Sequence, residues 1–136
     1  KYQVLDFIAT NPIGMGINWT CSMDIAIRVS NWIMCYNYFQ KYQLKNIFDD
    51  TFNSIFVNSL YNQGKFIFTH LEYRKSSRNN HYLSNIAGLL FISASLEPSK
   101  ETNKWLKKLE VPYKIEIQKS AKEKTIEFVN IFHDVI

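Results

Sequence analysis

At 136 residues, with 46% hydrophobic and 15% aromatic content, the chain suits one domain or part of one, can bury a core, and argues against disorder. Gly (4) and Pro (3) are scarce, which argues against an all-β chain of tight turns and for long helices. The formal charge of +4 and a pI near 9.0 suit an anionic partner (a nucleic acid, a membrane surface or an acidic polysaccharide) without choosing among them. A helical domain that is simply basic has the same signature.

In chain order, residues 2–10 place Val4, Leu5, Phe7 and Ile8 at helical spacing and read as a helix tail stopped by Asn11-Pro12. A loop follows with Gly14 and Gly16. Its G-x-G is no phosphate loop, because Trp19 stands where a third glycine is needed and no strand precedes it. Asn18-Trp19-Thr20 also matches a glycosylation sequon, a pattern common by chance. Thr20 or Ser22 can cap a long helix over 21–42. Its apolar positions (Met23, Ile25, Ala26, Val29, Trp32, Ile33, Tyr36, Phe39) leave a narrow polar strip, so burial on most sides is expected. Within it Asp24 and Arg28 are spaced to pair.

Asp49 and Asp50 mark the start of another helix, running to about Glu72, in which Gly64 is a candidate kink. A helix over His81–Leu96 comes next. Glu97-Pro98-Ser99 then ends it and starts a helix bearing Trp105, Leu106 and Leu109, with Ser99 as cap. Val111-Pro112 interrupts that helix, and residues 119–136 read as a basic amphipathic helix. No segment reads as a strand. The expectation is an all-α fold of antiparallel helical hairpins, a rhythm compatible with a toroid.

Cys21 and Cys35 are fourteen positions apart; on one helix that is ~21 Å, too far for a disulfide. They form no zinc pattern and read as buried thiols. His70 and His133 have no partners at ligand spacing, so neither metal nor cofactor is expected. No signal peptide is visible in residues 1–20 and no apolar run is long enough for a membrane span.

The stretch densest in reactive groups is residues 70–91, HLEYRKSSRNNHYLSNIAGLLF. Three cations in the loop Arg74-Lys75-Ser76-Ser77-Arg78 precede Asn79, Asn80, His81 and Tyr82, and apolar helix follows at once. Such a junction can hold reactive groups at the surface of a rigid scaffold. It also reads as a helix cap, since Asn is a preferred N-cap residue.

Three blocks fit one family in order and spacing as well as in letters: NPIGMGINWTCSMDIAIRVSNWI (Asn11–Ile33), HLEY (His70–Tyr73) and NNHYLSNIAGLLF (Asn79–Phe91). Over roughly residues 2–108 the chain resembles the helical N-terminal domain of the heparinase II/III-like polysaccharide lyases, within the alginate lyase superfamily. The resemblance implies part of an incomplete (α/α) toroid in residues 1–108, with 109–136 as a divergent C-terminal helical segment. It favours a periplasmic or secreted setting. It also implies a later block with a catalytic tyrosine in a Tyr-His context, which these 136 residues do not contain, so the domain reads as truncated.

The family reaction is β-elimination on a uronate polysaccharide. A base removes the C5 proton beside a carboxylate, an acid protonates the departing 4-linked oxygen, and a neutral donor stabilises charge growing on the carboxyl group. The resemblance implies that Asn80 is that donor and that His81 acts beside it. Arg28, Arg74 and Arg78 can bind carboxylates or sulfates in bidentate fashion, Trp19 can stack on a sugar ring, and Tyr82 is a further contact that reads more simply as packing. The expected function is a lyase fragment with a partial active site for an acidic polysaccharide. The alternative is a domain that binds acidic glycans without cleaving them. A nucleic-acid partner is disfavoured, because the basic residues form no dense stripe on one helix. If residues 109–136 leave helix faces uncovered, self-association is expected.

Overall fold

The computed structural model describes residues 1–42, 47–73 and 80–109. The described residues are all helical, with no strand among them. Helix α1 spans Tyr2–Thr10; a single 3₁₀ turn spans Ile17–Trp19; α2 spans Ser22–Lys41, α3 Asp50–Thr69 and α4 Asn80–Ser95. A further helix, α5, covers residues 100–109. The all-α fold therefore follows the expectation.

Several ends form for legible reasons. Asp49 caps α3, its Oδ1 accepting from the Phe52 N–H at 2.8 Å. Ser99 and Thr102 exchange hydrogen bonds at the start of α5: Ser99 N–H donates to Thr102 Oγ1 at 2.8 Å, and Thr102 N–H to Ser99 Oγ at 3.1 Å. The loop before α2 turns through Gly14 and Gly16 at φ of 74° and 77°, a region costly for residues with a Cβ.

Other ends differ from expectation. Neither Thr20 nor Ser22 caps α2. Cys21 holds the N-cap place without a side-chain bond, Thr20 Oγ1 donates to Ile17 O, and Ser22 Oγ donates across to His70 O at 2.7 Å. The serine is drawn off by a carbonyl at the end of α3, so it ties two helices together. Helix α3 stops at Thr69, short of Glu72. It runs unbroken through Gly64, which serves close packing: a Cβ there would stand 2.8 Å from the Trp105 ring. Val111-Pro112 and residues 119–136 lie outside the described residues.

Cross-helix contacts set the directions. Ser22 meets His70, Arg28 meets Gln63 and Tyr36 meets Asn53, so α2 and α3 run antiparallel. Glu72 beside Asn85 and Gly64 beside Ile92 make α3 and α4 antiparallel too. Tyr61 with Glu101 and Gly64 with Trp105 lay α5 along α3 in the same direction. Thus α2 and α4 share one direction, α3 and α5 the other. Gly88 lets α4 approach α2 closely, since a Cβ there would stand 2.7 Å from Ala26 Cβ.

The core gathers Trp19, Ile25, Val29 and Ile33 from the α2 side, Phe52, Phe56, Leu60 and Ile67 from α3, Ile86, Leu89 and Ile92 from α4, and Trp105 and Leu109 from α5. Each such side chain contributes about 1.5–3 kcal/mol of apolar burial before conformational entropy is charged. Tyr36, Phe48, Phe52 and Phe56 stack in succession at centroid spacings of 4.8–5.5 Å. Helix α2 is not buried on most sides: Ile27, Met34, Tyr38 and Phe39 are exposed. Its apolar face is wider than its neighbours among the described residues can cover.

Candidate functional site

Asn80 is the first residue of α4 and is exposed; His81 and Tyr82 follow, each half-buried. Asn80 lies within α4 and residue 79 lies outside the described residues, so Asn80 is a helix residue and not the cap. The first N–H groups of a helix lack intrahelical acceptors and carry partial positive charge, which favours an anion near this turn. Asn80 adds a neutral amide donor at that place.

His81 is held from the side. Glu72 Oε2 lies 3.3 Å from its Nδ1, with side-chain exposures of 38% for the histidine and 30% for the glutamate. A carboxylate only accepts, so this contact puts a proton on Nδ1 and leaves Nε2 as the free ring nitrogen. Glu72 is fixed in turn: its backbone N–H donates at 2.9 Å to Oδ1 of Asn85, which is fully buried one turn along α4 from His81. The Ser22–His70 bond secures the same connection from α2.

Cys21 completes this group. Its Sγ lies 4.0 Å from Glu72 Oε1, and donor atoms of Cys21, Glu72 and His81 all lie within 4.8 Å of one another. Sequence spacing predicts no such set, because Cys21 and Glu72 are 51 positions apart and meet only through the α2–α3 hairpin. Nor are the cysteines the buried thiols expected: Cys21 is half-buried and Cys35 exposed.

Arg28 and Trp19 form a second group. Trp19 is buried, edge-on to Phe66 at 5.2 Å, with its Nε1 donating to Asn11 O. Its ring is engaged by the core and also lines a small hollow. Arg28 does not turn to Asp24 for a hydrogen bond: Nε donates to Gln63 Oε1 at 2.8 Å and Nη1 to Asn18 O at 3.0 Å. Its guanidinium sits 4.6 Å from the Phe7 ring centre and 5.3 Å from that of Trp19. Burial lowers its pKa to about 10, with Asp24 pulling the other way, so it stays charged at neutral pH. Beside it is a small hollow of about 110 Å³ lined by residues including Phe7, Asn11, Trp19, Asn58 and Gln63. Among the described residues, the contacts of Arg28 and those of His81 share no residue.

Tyr82 packs edge-on against Tyr73 at 5.1 Å. Arg74 and Arg78 lie outside the described residues. No described helix is long and apolar enough to cross a membrane. Comparison with curated proteins and with solved structures finds no match. A family model does match: it describes the heparinase II/III N-terminus and covers residues 1–133. The chain therefore belongs to the heparinase II/III N-terminus family.

Proposed function

We propose that the chain is the helical part of a polysaccharide lyase that acts by β-elimination on an acidic, uronate-containing polysaccharide, with residues 1–108 as part of an (α/α) toroid and 109–136 as a divergent C-terminal helical segment, in the same domain or loosely packed on it. One observation carries the reading: Asn80 and His81 stand side by side on the exposed first turn of α4, with His81 braced by Glu72. That turn suits a carboxylate, and the net charge of +4 suits a polyanion.

In this reading the uronate carboxyl group rests against the Asn80 amide. The C5–H bond breaks and its proton goes to a base; electrons from that bond form the C4–C5 double bond; the C4–O bond breaks and an acid protonates the leaving oxygen. Asn80 stabilises charge on the carboxyl group as the proton leaves. His81 offers Nε2 to the same centre, as acceptor when neutral and as donor when charged. Arg28, Arg74 and Arg78 are the proposed anion contacts further along the glycan, with Trp19 and Tyr82 as its apolar contacts.

The tyrosine that the resemblance assigns to proton transfer lies in a block these 136 residues do not contain. A second reading is that the chain holds an acidic glycan without cleaving it. Ultraviolet absorbance of the unsaturated product distinguishes the two, with heparan sulfate, alginate and hyaluronan as substrates. A longer chain carrying a tyrosine block should produce signal, and Asn80→Ala within it should lower kcat by about 10²–10³-fold. Activity unchanged by both Asn80→Ala and His81→Ala would remove these residues from the reaction. We also propose that the exposed row Ile27, Met34 and Tyr38 on α2 supports self-association.

A further inference from the structure

We propose that Cys21, Glu72 and His81 form a binding site for a borderline-soft divalent cation of the zinc class. The three side chains come from the N-cap of α2, the connection after α3 and the first turn of α4. Their donor atoms lie within 4.8 Å of one another, with Nδ1 to Oε2 at 3.3 Å and Sγ to Oε1 at 4.0 Å. A tetrahedral zinc ion with bonds of about 2.0–2.3 Å separates its ligand atoms by roughly 3.3–3.8 Å. The donors, within 4.8 Å of one another, stand about 1 Å or less beyond that spacing.

The donor set selects the ion. Thiolate, imidazole and carboxylate together favour zinc or its tetrahedral analogues; calcium and magnesium require oxygen donors. The surroundings hold the ligands in place beforehand. Asn85 fixes the Glu72 backbone, and Ser22, adjacent to Cys21, fixes the chain at His70 two residues before Glu72. All three ligands are half-buried, so the ion would have three protein ligands and a fourth place open to solvent.

Binding has a consequence for His81. Without the ion, Nδ1 carries the proton and donates to Glu72. Coordination through Nδ1 requires the other tautomer, so the ring's one proton moves from Nδ1 to Nε2 and the imidazole stays neutral. The ion thus turns Nε2 from an acceptor into a donor. The site also ties α2, α3 and α4 together at one end, so occupancy should stabilise the fold. It does not depend on the lyase reading, since it rests on the donor atoms alone.

The test uses the full chain carrying Cys35→Ser, which removes the other thiol, stripped of metal under a non-thiol reductant. Calorimetry with zinc chloride should give one site per chain, with affinity rising with pH because thiol and imidazole protons are displaced. Cobalt(II) should give the visible bands of a tetrahedral ion and a near-ultraviolet thiolate charge-transfer band. Cys21→Ser should abolish that band, and Glu72→Gln and His81→Gln should each weaken zinc binding at least about tenfold. Circular dichroism of the metal-free variants checks that each folds. If the folded Cys35→Ser chain takes up no zinc, or if uptake and the charge-transfer band survive Cys21→Ser, the site does not exist. The lyase reading is untouched by either result.

Discussion

Gly88 decides how closely α4 can lie against α2. A methyl group there would stand 2.7 Å from Ala26 Cβ and 2.8 Å from its Cα, and the second atom is backbone. Gly88→Ala should therefore destabilise the fold by about 1–3 kcal/mol in chemical denaturation. Ala26→Gly in the same chain should restore part of the loss, since the two positions are coupled. Gly64→Ala should be costly for a related reason, because the wall it meets is the buried Trp105 ring. Both glycines stand out in the sequence, but a helical pattern does not say what faces them. Asn80 and His81 were legible as candidates because the block Asn79–Phe91 carries them together. The meeting of Glu72 with Cys21 was not, since it arises across the α2–α3 hairpin. Asn85 was equally hidden: only its full burial and the Glu72 N–H mark it. Asn85→Leu should cost about 1–3 kcal/mol in denaturation, by leaving that N–H unpaired.

At the scale of elements, polar ends proved as informative as apolar faces. Asp49 caps α3 and also meets Lys1, which joins the start of α1 to the start of α3. The hydrogen bond from Lys1, and then that from the Phe52 N–H, hold the Asp49 carboxyl below its ordinary pKa of 3.8. A carboxylate so shifted stabilises the fold above that ordinary value and loses its effect as pH falls through the lower folded value. Asp49→Ala should thus lower the melting temperature at neutral pH, and the difference from the parent chain should shrink below about pH 3.8. A gap that stays constant down to acid pH would locate the effect elsewhere. The Ser99 cap was read correctly because Pro98 leaves few alternatives. At α2 two hydroxyls competed for one cap, and the His70 carbonyl, supplied by the fold, drew Ser22 away.

Across the whole molecule, scarce glycine and proline with helical spacing of apolar residues made the all-α fold legible. The antiparallel run of neighbouring helices was legible too; their register was not, because it follows from contacts such as Arg28 with Gln63 and Glu72 with Asn85. The exposed face of α2 also escaped, since apolar spacing cannot separate a covered face from one left open. The family match reaches residue 133, beyond the blocks read over residues 2–108. If the basic surface binds a polyanion, affinity should fall with added salt. Salt dependence alone does not distinguish a uronate from any other polyanion, so the decisive comparison removes the carboxyl group itself. In calorimetry the chain is titrated with uronate oligosaccharides from heparan sulfate, alginate and hyaluronan, and with the same glycans after carboxyl reduction. Binding to at least one uronate should be lost on its reduction and weakened about 10–100-fold by Asn80→Ala with His81→Ala, the effect of losing hydrogen bonds to a charged group. Equal binding to reduced and unreduced glycans, or binding unchanged by the two substitutions, would contradict uronate recognition at the start of α4.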